Sequence, residues 1–367
     1  MEKKGLLVLL ACVCLTLVLT ALPFTAGCTR APEAPAPELP APEPPVTEPP
    51  APELPAPEPP VTEPPPPEKV YKVCITQIAT HPDLDANCHG IKDAMAERGF
   101  VEGENVEFVI RNAEGDMTTA ASIADYFVSL KPDIIHAITT PSAQTLVAAA
   151  EGTDIPIIFS SVTDPVAAGL VPSWEQAAPT VTGVSDWFEM PPQVEFVLEV
   201  TPDVKVLGTA YNPGEVNAAV QAEILNEVAP DYGLSVVEAT AASTADVYAA
   251  GMSLVGRCDA VWIPTCNTVG GVGIESIIKV GEENQLPIFG SAVGMIETGL
   301  VGGCSVDYYW IGQQAGYIAA RILSGEDIAD IPPMKSAVST VVYPAAERMG
   351  ITIPQAVIDS ADIVLEE

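Results

Sequence analysis

From Val70 onward, short apolar runs rich in β-branched residues alternate with longer stretches whose apolar positions recur at three- and four-residue spacing. The runs predict strands at Val70–Ile75, Val106–Arg111, Ile134–Ile138, Ile155–Phe159, Val204–Ala210, Leu234–Ala239, Ala260–Ile263 and Ile288–Phe289. The stretches between them predict helices at Ile91–Arg98, Thr119–Leu130, Val216–Val228, Ala245–Gly256 and Gly273–Asn284. Strand and helix in alternation specify an α/β fold whose parallel sheets are covered on both faces. Pro191 and Pro192 divide the strands into two series, which predicts two similar Rossmann-like lobes. A helical pattern over Ile311–Leu323 and a run over Ala337–Val342 follow, and predict crossings back between the lobes.

In open parallel sheets a ligand lies beyond the carboxyl ends of the strands, so the residues after each strand carry the candidate chemistry. Thr140 and Ser142 follow the third predicted strand; Ser161, Thr163 and Asp164 follow the fourth. In the second series Asn212 and Glu215, then Thr265 and Asn267, then Ser291 hold equivalent places, and each set is expected to open a helix. Any one of them reads most simply as a helix N-cap. Five sets together point to a binding cleft, where helix N-termini suit a carboxylate and Asp164, Glu215 or Asp307 suits an ammonium. Trp187, Phe188, Tyr211 and Tyr308 fall near these positions and fit either an apolar ligand slot or a core.

The first 68 residues have a different pattern. Lys3 and Lys4 precede an apolar run from Gly5 to Phe24, then Thr25, Ala26, Gly27 and Cys28, which reads as an export signal. Its T-A-G-C ending resembles a lipoprotein signal, in which Cys28 would become the acylated first residue; Thr25 departs from the usual leucine. The apolar run, at about 20 residues, is also long enough to be a retained membrane anchor. Between Ala31 and Glu68 lie 18 of the 37 prolines, and Ala36–Pro50 is repeated without change as Ala51–Pro65. Such a segment forms no core and predicts a stiff polyproline II spacer, up to roughly 120 Å long at about 3.1 Å per residue. The chain therefore divides into a leader (1–28), a linker (29–68), a first lobe (69–186 with about 307–338) and a second lobe (187–306 with about 339–367).

Charge narrows the class of partner. Only nine of the 49 carboxylates and three of the 15 Lys and Arg precede Lys69, which leaves 40 against 12, a net charge of −28 on the body. That surface repels phosphate backbones and excludes nucleic acid as a main partner. It also favours a zwitterionic or neutral solute over an anion. Five cysteines remain in the body, Cys74, Cys88, Cys258, Cys266 and Cys304; their number is odd and their spacing matches no zinc motif, so buried free thiols are expected.

Catalytic signals are sparse. The three histidines are His81, His89 and His136, no G-x-S-x-G elbow occurs, and G-G-V-G at Gly270–Gly273 lacks dinucleotide-site spacing. His81, Asp83, Asp85, Cys88 and His89 form a candidate transition-metal cluster, with Asp85 and His89 four apart; the plainer reading makes Asp83 or Asp85 a helix cap. The expectation is a cofactor-free, monomeric, non-enzymatic binder.

Several segments together carry a resemblance. They are H-P-D-L-D at 81–85, G-F-V-E-G-E-N-V at 99–106, N-A-E-G-D at 112–116, K-P-D-I-I at 131–135, V-T-D-P-V-A-A-G-L-V at 162–171, T-G-V-S-D at 182–186, Y-N-P-G-E-V-N at 211–217 and N-T-V at 267–269. From about Val73 to Ile351 the chain resembles the tryptophan- and phenylalanine-binding lipoproteins among ABC-importer substrate-binding proteins. The resemblance implies a type 1 periplasmic-binding-protein fold, two Rossmann-like lobes joined by three crossovers and closing over a small solute. It implies that Thr140, Ser142, Ser161, Thr163 and Asp164 line one wall, and Asn212, Glu215, Thr265, Asn267 and Ser291 the other. It further implies an amino-acid solute, aromatic or branched, and as partners an ABC permease with its ATPase, at the outer face of the membrane through a lipid on Cys28. The alternative is a sensing subunit for a membrane receptor, or a binder of a nucleoside, peptide or metal. Cys266, where the family commonly has aspartate, and Ala292, Val293 and Gly294, where acidic residues are usual, are departures that alter how an ammonium is held.

Overall fold

The structure, a computed structural model, describes residues 69–366; the expected leader and linker lie outside the described residues. The first lobe contains β1 (Tyr71–Gln77), α1 (Pro82–Glu97), β2 (Val106–Asn112), α2 (Met117–Ser129), β3 (Ile134–Ile138), α3 (Thr140–Ala149), β4 (Ile157–Ser160) and β5 (Val181–Ser185). The second contains α4 (Met190–Val200), β6 (Val206–Tyr211), α5 (Val216–Val228), β7 (Ser235–Thr240), α6 (Val247–Leu254), β8 (Ala260–Ile263), α7 (Ile274–Asn284), β9 (Ile288–Gly290), α8 (Val293–Gly299) and β10 (Gly302–Val306). Then come α9 (Tyr308–Leu323) and β11 (Met334–Lys335), and finally β12 (Val338–Val342), α10 (Gln355–Ser360) and β13 (Ile363–Val364).

The first sheet is wholly parallel in the order β2-β1-β3-β4-β5-β11. Its inner strands β3 and β4 are buried along their whole length, as expected where helices cover both faces. The second sheet runs β7-β6-β8-β9. There β10 follows β9, joined through Val301 N–H to the Ile288 carbonyl (2.9 Å) and a parallel bridge between Ala292 and Val306. Both lobes thus share one strand order, with the first strand flanked by the second and third. Strand β12 pairs antiparallel to β10, and β13 parallel to β12.

The chain crosses between sheets three times, after β5, between β10 and α9, and between β11 and β12. Returning α9 packs on α1 with backbone against backbone: a Cβ on Gly90 would stand 2.2 Å from the Tyr309 carbonyl, and one on Gly312 2.0 Å from that of Asn87. The first and third crossovers meet at a small aromatic cluster. Lys335 Nζ lies 4.6 Å from the ring centre of Trp174 and 5.1 Å from that of Trp187, and the two indoles meet edge to face at 6.0 Å.

Two expectations change. Helix α1 begins at Pro82, well before the apolar periodicity at Ile91, because its first half buries polar Asp83 and Asn87 in place of apolar residues. After β4 no helix opens; Asp164 instead accepts from the Val166 and Ala167 N–H groups, both at 2.9 Å, and closes a turn.

Candidate functional site

The carboxyl ends of both sheets face each other across a small cavity of ≈ 40 Å³. One wall is built from the start of α1 (His81, Asp83, Leu84), the ends of β3 and β4 (Thr139, Ser161, Thr163), Asp186 after β5, and Tyr308 at the start of α9. The facing wall carries Asn217 from α5, the turn Thr265–Asn267 with Gly270 and Gly271 after β8, and Ala292 and Met295 beside α8.

Two strained residues mark the first wall. Thr139 has φ 85° and ψ 156°, a conformation essentially reserved for glycine, and Ser161 has φ 53°. Asn87, buried in α1, holds the second: its Nδ2 donates to Ser161 Oγ at 2.8 Å, and its Oδ1 accepts from Ser160 Oγ at 2.9 Å.

Three buried polar atoms of cavity-lining residues have no hydrogen-bond partner among the described residues: His81 Nε2, Asp186 Oδ1 and Asn217 Oδ1. Leaving such groups unpaired costs about 1–3 kcal/mol each, so they point to a ligand that supplies the partners. Asp186 is buried, and its other oxygen accepts from Tyr308 Oη at 3.1 Å. Burial pushes its carboxyl up to about 6, against the pull of the hydrogen bond from Tyr308. Burial likewise lowers His81, with Asp85 opposing, so the imidazole is neutral near pH 7. The lining holds no Lys or Arg.

Of the residues expected at the site, Ser161, Thr163, Thr265 and Asn267 line this cavity. Asn212 and Glu215 lie in a wider groove outside it that shares Ala79 and Asn267 with it. The Glu215 carboxylate is already engaged, accepting from Asn267 N (2.7 Å) and Nδ2 (2.9 Å) and from Thr268 N (2.9 Å) and Oγ1 (2.6 Å). It therefore fixes the Asn267–Thr268 turn. Ser291 Oγ donates to the Ile263 carbonyl at 3.1 Å, and Ser142 pairs with Thr139 at 3.4 Å. Thr140 is buried outside the lining, Asp164 closes its turn, and exposed Asp307 caps α9 by accepting from Trp310 N–H at 2.9 Å.

The aromatic candidates divide in the same way. Tyr308 lines the cavity, Phe188 packs on Trp262 in the core, Trp187 stacks on Trp174, and Tyr211 donates to Glu238 at 2.7 Å. Asp186, His81 and Asn217 were not among the expected site residues. Asp186 follows β5 as Ser161 follows β4, and that placement was the available signal.

The metal cluster does not assemble. His81 Nδ1 accepts from Asp83 N–H at 3.3 Å as the cap of α1, Asp85 accepts from Gln77 Nε2 at 2.8 Å, and Cys88 is buried. No group of three or more His, Cys, Asp or Glu placed to hold a metal occurs among the described residues. All five body cysteines are free and buried. Cys266 takes over a capping role, its Sγ accepting from Asn212 N–H at 3.3 Å and Val269 N–H at 3.4 Å, while burial pushes the thiol up to about 12.

The sequence profile of the family described as ABC transporter substrate binding protein matches residues 72–365. The chain belongs to that family. This substrate-binding protein is 38% identical, over 72% of its own length and 76% of the relative's, to a tyrosine-binding protein of Clostridioides difficile. Its fold, the type 1 periplasmic-binding-protein architecture, matches a pneumococcal ABC domain in complex with L-Trp at TM-score 0.77 and 31% identity, covering 81% of this chain and 100% of that one. It matches the ligand-free, open structure of an adhesive substrate-binding protein from Clostridium difficile at TM-score 0.62 and 35% identity, covering 81% and 99%. The better superposition on the complex, despite lower identity, fits lobes that already touch across the cleft. As a member of this family it is a binding protein and not an enzyme, and it acts outside the cytoplasm.

Proposed function

We propose that this substrate-binding protein captures a single aromatic L-amino acid, tyrosine or tryptophan, between its lobes and delivers it to an ABC permease with its ATPase. The observation that carries the reading is the trio of unpartnered polar atoms in a cavity between the lobes that also presents hydroxyls and the apolar side chains of Leu84, Ala292 and Met295. The ammonium would donate to Asp186 Oδ1 and Asn217 Oδ1. With no Lys or Arg in the lining, the carboxylate would fall to His81 Nε2–H and the hydroxyls of Ser161, Thr163 and Thr265. The aromatic ring would lie against Leu84, Met295 and Ala292. The relatives that bind tyrosine and L-Trp support the solute class.

Lobes split at about residues 186, 306 and 338, a lipid on Cys28 and the proline-rich spacer belong to the same proposal: the anchor holds the protein at the membrane while the spacer sets its reach. The protein would work as a monomer.

Titration calorimetry of the purified protein with tyrosine, tryptophan, phenylalanine, leucine and adenosine tests the solute. Saturable one-to-one binding of tyrosine or tryptophan, tighter than leucine, is expected. Binding of adenosine alone would overturn the assignment.

A further inference from the structure

Thr265 reaches the cleft from the loop after β8, and its place there is set from α5. Side chains one turn apart on that helix grip its polar atoms. Asn217 Nδ2 donates to the Thr265 carbonyl. Gln221 Oε1 accepts from the Thr265 N–H at 2.8 Å and from the Thr265 hydroxyl at 3.0 Å. Gln221 itself is 2% exposed and lies outside the cavity lining, so it does not touch a solute. A loop that needed only its N–H satisfied would leave the hydroxyl free, yet here one oxygen takes both.

The direction of each bond follows from counting protons. A backbone N–H only donates, so the Gln221 atom facing it is the amide oxygen, and the amide has one orientation. An amide oxygen only accepts, so the proton between Gln221 Oε1 and Thr265 Oγ1 belongs to the threonine. A hydroxyl carries a single proton. The 3.1 Å bond across the cleft between Thr163 Oγ1 and Thr265 Oγ1 therefore takes its proton from Thr163, and Thr265 meets it with a lone pair.

From this chain of bonds we infer that Gln221 is a positioning residue for closure: by holding the Thr265 N–H and hydroxyl proton, it turns the free lone pairs of that oxygen into the cleft and makes Thr265 the acceptor on which the first lobe docks. Without Gln221 the Thr265 hydroxyl rotates freely, and two like hydroxyls meet with no fixed donor. The assignment rests on the reading of this cleft as the solute site and sharpens it. Thr265 meets a solute through lone pairs, on the ammonium side with Asn217 Oδ1, which leaves the carboxylate to His81, Ser161 and, where the bond between the lobes is given up, Thr163.

The test reads closure without solute. Spin labels at Asp125→Cys on α2 and Ala249→Cys on α6, exposed positions on opposite lobes, report separation by pulsed dipolar spectroscopy, and the five native thiols are buried. Gln221→Met keeps the length of the side chain and removes the acceptor; the closed-to-open ratio should fall about threefold to tenfold, the range of one hydrogen bond. Thr163→Val should lower the ratio by a similar factor, and combining it with Gln221→Met should lower it little further, because both remove the same bond. Gln221→Glu retains an acceptor oxygen and should stay within about twofold of the wild type. Additive losses in the double variant would overturn the assignment, and so would a Gln221→Met protein with the wild-type ratio. If Gln221→Met does not fold by circular dichroism, Gln221→Glu decides: a folded protein as closed as the wild type supports the assignment, and one as open as Thr163→Val overturns it. Because no solute is added, a wrong amino-acid assignment shows in calorimetry and leaves this result unaffected.

Discussion

The hydroxyls of Thr163 and Thr265, on opposite lobes and 102 residues apart in sequence, meet at 3.1 Å inside the cleft. The bond exists only while the lobes touch, so it belongs to the closed form and contributes to closure by differential contact. Thr163→Val and Thr265→Val should each weaken tyrosine binding, and the double variant should lose less than the sum of the two. A double-mutant cycle in calorimetry should give a coupling of about 0.5–1.5 kcal/mol. Strict additivity would show that the pair does not act in closure.

Asp186 is the acid placed to receive an ammonium. Asp186→Asn keeps the shape and removes the charge, and should cost about 2–5 kcal/mol of tyrosine affinity, at least some thirtyfold, with the fold intact by circular dichroism. Its carboxyl is raised to about 6, so it must lose a proton to hold the ligand cation. Affinity should therefore fall about tenfold per unit as pH drops below about 6, and this slope should vanish in the asparagine variant.

His136 lies wholly inside β3 with neither ring nitrogen partnered among the described residues, and burial lowers it to about 3. The unfolded chain binds its proton below about 6.5 and the folded one does not, so stability drops as pH falls from 6.5 toward 3, by up to about 1.4 kcal/mol per unit. Asp83 and Asp186 act in the opposite sense, being stabilising below the ordinary carboxylate range and losing that contribution as pH rises through about 6 to 7. Urea unfolding of His136→Leu should show a stability difference from wild type that moves in favour of the variant as pH falls from 7 to 4.

Much of this organisation was legible from spacing. The strands at Ile134–Ile138 and Ala260–Ile263 and the helix at Val216–Val228 stand where the apolar pattern placed them. The pattern missed β5 and β10, whose V-T-G-V-S and G-G-C-S-V sequences carry glycine in place of bulk. At Gly303 a Cβ would stand 1.8 Å from the Gly290 carbonyl, so close packing selected against the residues that signal a strand. The site was half legible for a similar reason. Ser161, Thr163, Thr265 and Asn267 follow recognised strands, while Asp186 follows the unrecognised β5. Glu215 and Asp164 have the chemistry of ligand groups and spend it on backbone N–H groups, which only coordinates reveal.

Gly90→Ala tests the helix pair that carries the start of α1 into the cleft. Its methyl group would meet the Tyr309 carbonyl at 2.2 Å, a backbone atom that cannot turn aside. Overpacking of this kind costs about 1–3 kcal/mol or more, and thermal unfolding should show a lowered midpoint. An unchanged midpoint would mean that α1 and α9 can slide.

Replacing Cys28 with Ala should move the protein from the membrane fraction to the soluble fraction of the producing cells if that thiol carries the lipid. Retention at the membrane would assign anchoring to the apolar leader itself.

The stack of Lys335 over Trp174 and Trp187 joins the first and third crossovers, the strands about which the lobes must turn. Lys335 pairs with Ser185 in the first sheet and Trp174 lies between β4 and β5, so the stack fastens the outgoing and the returning connection to one and the same lobe. Both connections thus leave the first lobe from one riveted point, and the bending of the chain falls to the residues beyond it on the way to the second lobe.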